Sequence, residues 1–198
     1  MTDHQSDFDD PDKFMMVLRS GDEVAARCII LCCVVAHSED PSLSFEGWLK
    51  TEQLWKKVSP NEKQFLLNNT PSEREVKNAS WRSEALLTLL WSLGRVSEMP
   101  SPVQTESFAE MLEMVPGPDE GTAKFLSTAR VRPLDEIISA YEVVYDQHWR
   151  ARHTQMNGTE PLTGLERGVV YERHYALNWL RRYGIFEEQE WDEITTDT

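Results

Sequence analysis

At about 100° per residue, Val169, Ala176, Leu177, Leu180 and Tyr183 fall on one broad face of a helix, and Arg173 falls inside that face. A guanidinium among aliphatic side chains needs a carboxylate or a set of carbonyl oxygens, because an unpaired buried cation costs several kcal/mol. The segment 133–156 shows the same anomaly. Its stripe of Leu134, Ile137, Ile138, Tyr141, Val144 and Tyr145 runs on into His148, Trp149 and Arg152. Glu84 is one candidate counter-charge, since it shares a face with Leu87, Thr88 and Trp91 on a segment that is apolar nearly all round. Asp192, Asp197 and the α-carboxylate of Thr198 are others. With Glu172, His174 and Asn178 from the segment of Arg173 itself, the candidate polar cluster is Glu84, His148, Arg152, Glu172, Arg173, His174, Asn178, Asp192 and Asp197.

Two chemistries suit such a set. In the first, an internal latch, Trp191 fills an apolar gap while Asp192 or Asp197 reaches the neighbourhood of Arg173, His148 and Arg152, so that a terminus that would otherwise fray is docked. In the second, Arg173 and Arg152 clamp a small anion, His148 or His174 acts as acid or base, and Glu84 orients them. The second requires Glu84, His148 and Arg173 to open into a pocket. An interaction protein would instead seal the cluster and expose an apolar patch elsewhere.

Sharper chemistries are absent from the sequence. It contains no Gly-rich phosphate loop, no H-E-x-x-H pair and no G-x-S-x-G elbow. The histidines at 4, 37, 148, 153 and 174 are scattered, and the step from His148 to His153 is one residue too long for a same-face metal pair. Cys28, Cys32 and Cys33 lie in one apolar run, Cys28 to Ala36, which fits reduced core thiols better than zinc ligands or a disulfide framework. No metal and no cofactor is expected.

Charge narrows the partners. The formal charge is −14, but residues 1–12 carry five acids and residues 187–198 six, with no Lys or Arg in either stretch. Setting those eleven aside leaves 23 acids against 20 basic residues, so the acidity belongs to the ends. Acidic ends repel phosphates, and nucleic acid is not an expected partner. The stretch "NEKQFLLNNTPSEREVKNASW" mimics a helix-turn-helix, yet it sets Arg74 and Lys77 against Glu73 and Glu75. The apolar run of nine residues is far short of the roughly 20 that span a bilayer, and the start "MTDHQSDFDDPDK" has neither the basic nor the apolar region of a signal peptide. A soluble, cytoplasmic protein without a membrane partner is expected.

The elements that must position the cluster are announced by helix starts. Ser20 with Glu23 opens a helix over about 21–37, and "FEGWLKTEQLWKKV" suggests a second over 45–58. Ser59, Pro60 and Glu62 open a short one to about 68; Thr70, Pro71 and Glu73 open a long one that stops at Gly94. Short helices over 105–115 and 119–129, a long one from Pro133 to Met156 and a last one over 168–183 complete the series. Arg181 and Arg182 would then sit at a helix C-terminus, where the macrodipole favours cations. No run holds strand alternation for long. The expected fold is all-α: an irregular single-domain bundle of about seven to eight helices. Residues 1–19 are read as an acidic N-terminal tail, 20–198 as the domain and 185–198 as its docked acidic tail.

The stretches "SPNEKQFLLNNTPSEREVKNASWRSEALLTLLWSLG", "GVVYERHYALNWL" and "EWDEITTDT" resemble a bacterial family of uncharacterised proteins, the domain of unknown function 4272. The likeness runs from about residue 20 onward, and Glu172-Arg173-His174, Asn178-Trp179 and the ending from Trp191-Asp192 to Asp197-Thr198 are its distinctive parts. The resemblance implies that this ending is a regular part of the domain, and it implies no activity. Size and charge point to a non-catalytic intracellular interaction protein with a protein partner, a basic one, in the manner of an immunity protein that inhibits a basic toxin. The alternative is a small enzyme or sensor that takes an anionic small molecule through the Arg/His/Glu cluster.

Overall fold

Ser20 and Glu23 cap the first helix reciprocally: the Ser20 backbone N–H and hydroxyl both donate to the Glu23 carboxylate, at 2.9 and 2.7 Å. That helix, α1 (Gly21–Glu39), is buried on almost every side from Val24 to Val35 and so forms the centre of the fold. The computed structural model describes residues 16–103, 105, 107–156, 165–183 and 190–196. Around α1 lie α2 (Glu46–Thr51), a 3₁₀ turn at Trp55–Lys57, α3 (Pro60–Leu66), α4 (Glu73–Ser92), α5 (Phe108–Leu112), α6 (Ala123–Thr128), α7 (Leu134–Met156) and α8 (Arg167–Leu180). Helix α4 packs on α1, α8 on α4, and α7 on α8, while α3 and α6 flank α1. The fold is all-α, with one two-stranded ribbon. Among the described residues no helix is long and apolar enough to cross a membrane. Cys28 and Cys33 are buried and Cys32 half-buried; burial pushes all three thiols up, Cys32 to about 12.

Capping chemistry accounts for most boundaries. Ser59 and Glu62 bracket the start of α3, with Pro60 at the first helical position. Helix α4 starts two residues later than Thr70 suggested. Ser72 pairs with Glu75, while the Thr70 N–H turns back to the Asn68 side chain at 3.0 Å. Helix α4 ends in a Schellman motif: Gly94 takes φ +68°, its N–H donates to the Trp91 carbonyl (2.8 Å), and the Arg95 N–H donates to the Leu90 carbonyl (2.9 Å). The single helix expected over 45–58 is broken at Gln53, whose φ of 60° turns the chain into the 3₁₀ turn. Glu52 beside it is diverted to cap Thr122 at the start of α6. The two short helices shrink to Phe108–Leu112 and Ala123–Thr128.

A helix running to residue 183 is corrected. Arg181–Tyr183 form strand β2, paired antiparallel with β1 (Met16–Leu18), so residues 16–18 leave the expected tail and join the fold. Arg19 explains the exit. Its backbone N–H donates to the Leu180 carbonyl (3.0 Å) and its Nε to the Trp179 carbonyl (2.7 Å), satisfying the end of α8 from outside the helix. Arg182 accordingly lies in β2 and pairs with Glu23 in the first turn of α1 instead of sitting in the last turn of α8.

The C-terminal segment is anchored at several points. Trp191, 1 % exposed, packs edge-to-face on Tyr175 and Trp179, with ring centroids at 4.9 and 5.5 Å. The Tyr175 hydroxyl donates to the Trp191 carbonyl, and the Asn178 amide donates to the Thr195 carbonyl at 2.7 Å. Asp192 meets the start of α3, accepting from the Ser59 hydroxyl (2.7 Å) and the Asn61 backbone N–H (2.9 Å). Residues 1–15, 157–164, 184–189 and 197–198 lie outside the described residues, and with them most of the acidic N-terminal tail expected over 1–19, Asp197 and Thr198. Trp191→Ala is expected to cost about 3–5 kcal/mol in urea unfolding. Under native conditions it should speed amide exchange at 190–196 before it does so in α4.

Candidate functional site

Two residues of α4 and two of α8 meet in a crossed pair of ion bridges. Arg173 donates from Nε and Nη2 to the Glu84 carboxylate, at 3.0 and 2.9 Å, and from Nη1 to the Pro100 carbonyl. Arg82 donates to Glu172 at 2.9 Å. Side chains two apart on a helix point about 200° apart and neighbours about 100° apart, so Arg82 and Glu84 reach past opposite flanks of α4 to neighbouring residues of α8. Close approach of the two helices depends on Gly168, where a Cβ would stand 2.7 Å from the Trp81 ring. Glu84 is fully buried and Arg173 is 1 % exposed. Burial raises the Glu172 pKa, a shift that Arg82 partly opposes and Glu84 reinforces.

The histidines form a separate group. His148 on α7 and His174 on α8 are buried, and their Nδ1 atoms lie 2.8 Å apart. One ring must donate and the other accept, so the pair holds one proton on that line and excludes a second. Tyr141, Tyr145 and Tyr171 surround the two rings. Burial lowers the His148 pKa, with help from Arg152 and Arg167.

The nine candidate residues therefore do not converge on one point. Glu84 and Arg173 bond to each other, Glu172 binds Arg82 beside them, and His148 and His174 pair with each other. Asn178 accepts from Arg181 at 3.0 Å and holds the C-terminal segment. Arg152 is exposed on α7, and Asp197 lies outside the described residues. The expected reach of Asp192 toward Arg173, His148 and Arg152 is corrected, because that carboxylate caps α3, where free backbone N–H groups and the helix dipole attract an anion. Glu84 leaves Arg173 no need of it.

Three contributors went unread in the sequence. Arg82 lies over the Tyr175 ring at 4.5 Å and the Trp191 ring at 5.7 Å. Arg27 donates to both oxygens of Glu62, at 2.8 and 2.7 Å, and lies 4.8 Å from the Trp191 centroid. Arg27 carried the same mark as Arg173, a cation among Val24, Ile30, Leu31 and Val34. The third is Tyr175, which holds the Trp191 carbonyl.

A cleft of about 760 Å³ opens beside this core, between α7 and the segment 95–102. Trp91, Met99, Pro100, Ala140 and Val144 give it an apolar lining, Glu98, Asp135 and Glu136 add acids, and Arg173 contributes one edge. The segment is pinned by two guanidiniums. Arg132 donates to the carbonyls of Trp91 (2.7 Å), Val96 (3.0 Å) and Ser97 (3.0 Å) and to Glu136 (2.9 Å), while Arg173 holds Pro100. Among the described residues no three His, Cys, Asp or Glu side chains are grouped to hold a metal ion.

Fold and site define an all-α protein in which the buried Arg27 and Arg173 are paired with its own Glu62 and Glu84. The chain belongs to the family described as domain of unknown function DUF4272, whose model matches residues 10–194. Neither the curated proteins nor the solved structures yielded a match.

Arg173→Met is expected to cost about 3–5 kcal/mol in global unfolding, since it strands the Glu84 carboxylate. The double variant Arg173→Met/Glu84→Leu should recover a large part of that loss, and amide exchange at 190–196 should not respond selectively to either. A second expectation concerns pH. Because the folded pKa of His148 lies below its unfolded value of about 6.5, the unfolded chain binds the extra proton first. Stability is therefore complete above that value and declines as pH falls through it. Urea midpoints at pH 7.5 and 5.5 should differ in the native chain, and the difference should shrink in His148→Gln.

Proposed function

We propose that this protein is a non-catalytic cytoplasmic interaction protein that takes a basic, partly apolar segment of a protein partner into the cleft between α7 and residues 95–102. Its most concrete form is an immunity-type inhibitor of a basic toxin. The composition of that cleft carries the reading: apolar side chains line it, Glu98, Asp135 and Glu136 border it, and Arg132 is engaged by three carbonyls and a carboxylate. A cationic side chain entering there would meet acids at the border while its apolar neighbours covered Trp91 and Met99. Exposed apolar surface continues along α7, where Val143 is 56 % and Trp149 45 % exposed. The enzyme or sensor alternative draws less support, because it needs Glu84, His148 and Arg173 to open together into a pocket, and all three are buried, with only Arg173 reaching the edge of the cleft.

A synthetic peptide alternating Lys with Leu and Phe tests the docking. Titrated into the labelled protein, it should shift amide signals of Met99, Ala140 and Val143, bind at least tenfold more weakly at 0.5 M salt, and lose binding in Glu98→Lys/Asp135→Lys. Equal binding by the charge-reversed variant would sink the reading. The inhibitor form is tested by co-purification with the product of an adjacent toxin gene, which the same variant should abolish.

A further inference from the structure

Arg82 spends less of its hydrogen-bonding capacity than Arg132 and Arg173, each of which donates from Nε, Nη1 and Nη2. Among the described residues Arg82 donates only from Nη1, to Glu172. Its Nε and Nη2 form one edge of the guanidinium, the edge that Arg173 turns on a single oxygen of Glu84. In Arg82 neither atom is sealed, and the side chain is 26 % exposed. The Tyr175 ring at 4.5 Å and the Glu172 carboxylate hold the group in place, and Glu172 balances its charge. What remains open is hydrogen-bonding capacity, not charge.

Arg82 lines a groove of about 260 Å³ between α3 and α4, which the C-terminal segment closes on one side with Trp191 and Asp192. Val34, Phe65 and Ala79 give the groove apolar surface. Asn61, Gln64 and Asn78 are exposed along it, and their side-chain amides make no hydrogen bond among the described residues. The carboxylates that line it are already engaged: Glu62 by Arg27 and the Ser59 backbone, Glu75 by Ser72, and Asp192 by Ser59 and Asn61. A charged ligand would find no free counter-charge here. An uncharged amide finds N–H donors for its carbonyl, amide oxygens for its own N–H, and apolar surface for a side chain.

We propose that this groove binds a short uncharged peptide segment, an apolar residue with its two flanking amides. A carbonyl oxygen of the segment accepts from the Arg82 Nε and Nη2, its N–H groups donate to the side-chain oxygens of Gln64 and Asn78, and its side chain covers Phe65 and Ala79. The volume falls below the roughly 300–1,000 Å³ of pockets for drug-sized ligands, so the recognised unit is this fragment of a chain and not a longer stretch. Trp191 and Asp192 form one wall, and occupation therefore favours the docked C-terminal segment.

The test titrates N-acetyl-leucine methylamide into the whole isotope-labelled chain. The side-chain amide signals of Gln64 and Asn78 and the Trp191 indole signal should shift saturably, with a Kd of about 1–10 mM for so small a probe. N-acetylglycine methylamide lacks the side chain and N-acetyl-leucine carries a carboxylate; each should bind at least roughly fivefold more weakly. Arg82→Lys keeps a cation beside Glu172 but removes the open edge, and should weaken binding about tenfold. Gln64→Ala/Asn78→Ala changes two exposed side chains, so it should keep the thermal midpoint while weakening binding at least about threefold, and it decides the matter should Arg82→Lys fail to fold. Tighter binding of N-acetyl-leucine, undiminished binding by Gln64→Ala/Asn78→Ala, or the absence of saturable shifts at Gln64 and Asn78 in the native chain overturns the proposal. Shifts confined to Met99, Ala140 and Val143 overturn it too, by assigning the probe to the α7 cleft.

Discussion

Arg27 and Arg173, each no more than 5 % exposed, must find an anion inside the chain, and that requirement fixes how the helices sit. From Ser83 to Ser92, α4 is buried all round, so many rotations about its axis would bury leucine equally well. Only one brings Glu84 to Arg173 on one flank while Arg82 meets Glu172 on the other. Buried ion pairs add little net stability once desolvation is subtracted, but mispairing them is expensive, and here the penalty selects one register of α4 against α8. Arg27 and Glu62 impose the same condition on α1 and α3.

The C-terminal segment completes this arrangement by covering it. Glu62 serves twice, as the capping-box residue of α3 and as the partner of Arg27. Ser59, whose backbone N–H donates to Glu62, donates its hydroxyl hydrogen bond to Asp192, one residue beyond the Trp191 ring that lies against Arg27. Arg19, Arg27 and Arg82 lie over the rings of Trp179, Trp191 and Tyr175, so cations and aromatics alternate beneath the segment. Aromatic residues at the end of this chain thus answer the charges that the helices bury.

Much of the frame was legible because it rests on local rules. Ser59-Pro60-Glu62, Gly94 and the all-apolar run of α1 act within a few residues of sequence, and the need of Arg173 for an anion follows from its neighbours on one helix face. Which anion it takes is a long-range matter. Glu84 stood in the sequence as one of several carboxylates, and Asp192 looked equally eligible until the open end of α3 claimed it. The β1–β2 ribbon was invisible for a different reason: three residues per strand are too few to show alternation, and the donor that ends α8 is Arg19, at the other end of the chain. Arg27 and Arg82 were overlooked where Arg173 was not, although each also sits among buried apolar side chains.

A formal charge of −14 does not by itself set the sign at each opening of the fold. Eleven of its acids lie in the first and last twelve residues, which leaves the body close to neutral. At physiological salt an exposed charge acts over roughly 8 Å, so each opening is governed by the groups that line it and not by the net charge. In the α7 cleft, Arg132 is held by Glu136 and Arg173 by Glu84, with carbonyls taking their remaining donors, which leaves Glu98 and Asp135 to set the sign. Beside Trp191, Arg27 is paired with Glu62, and Glu23 is shared by Arg19 and Arg182. The sign at each opening thus follows from which cations the chain has already paired, and the crossed bridges of α4 and α8 decide that pairing for Arg82 and Arg173.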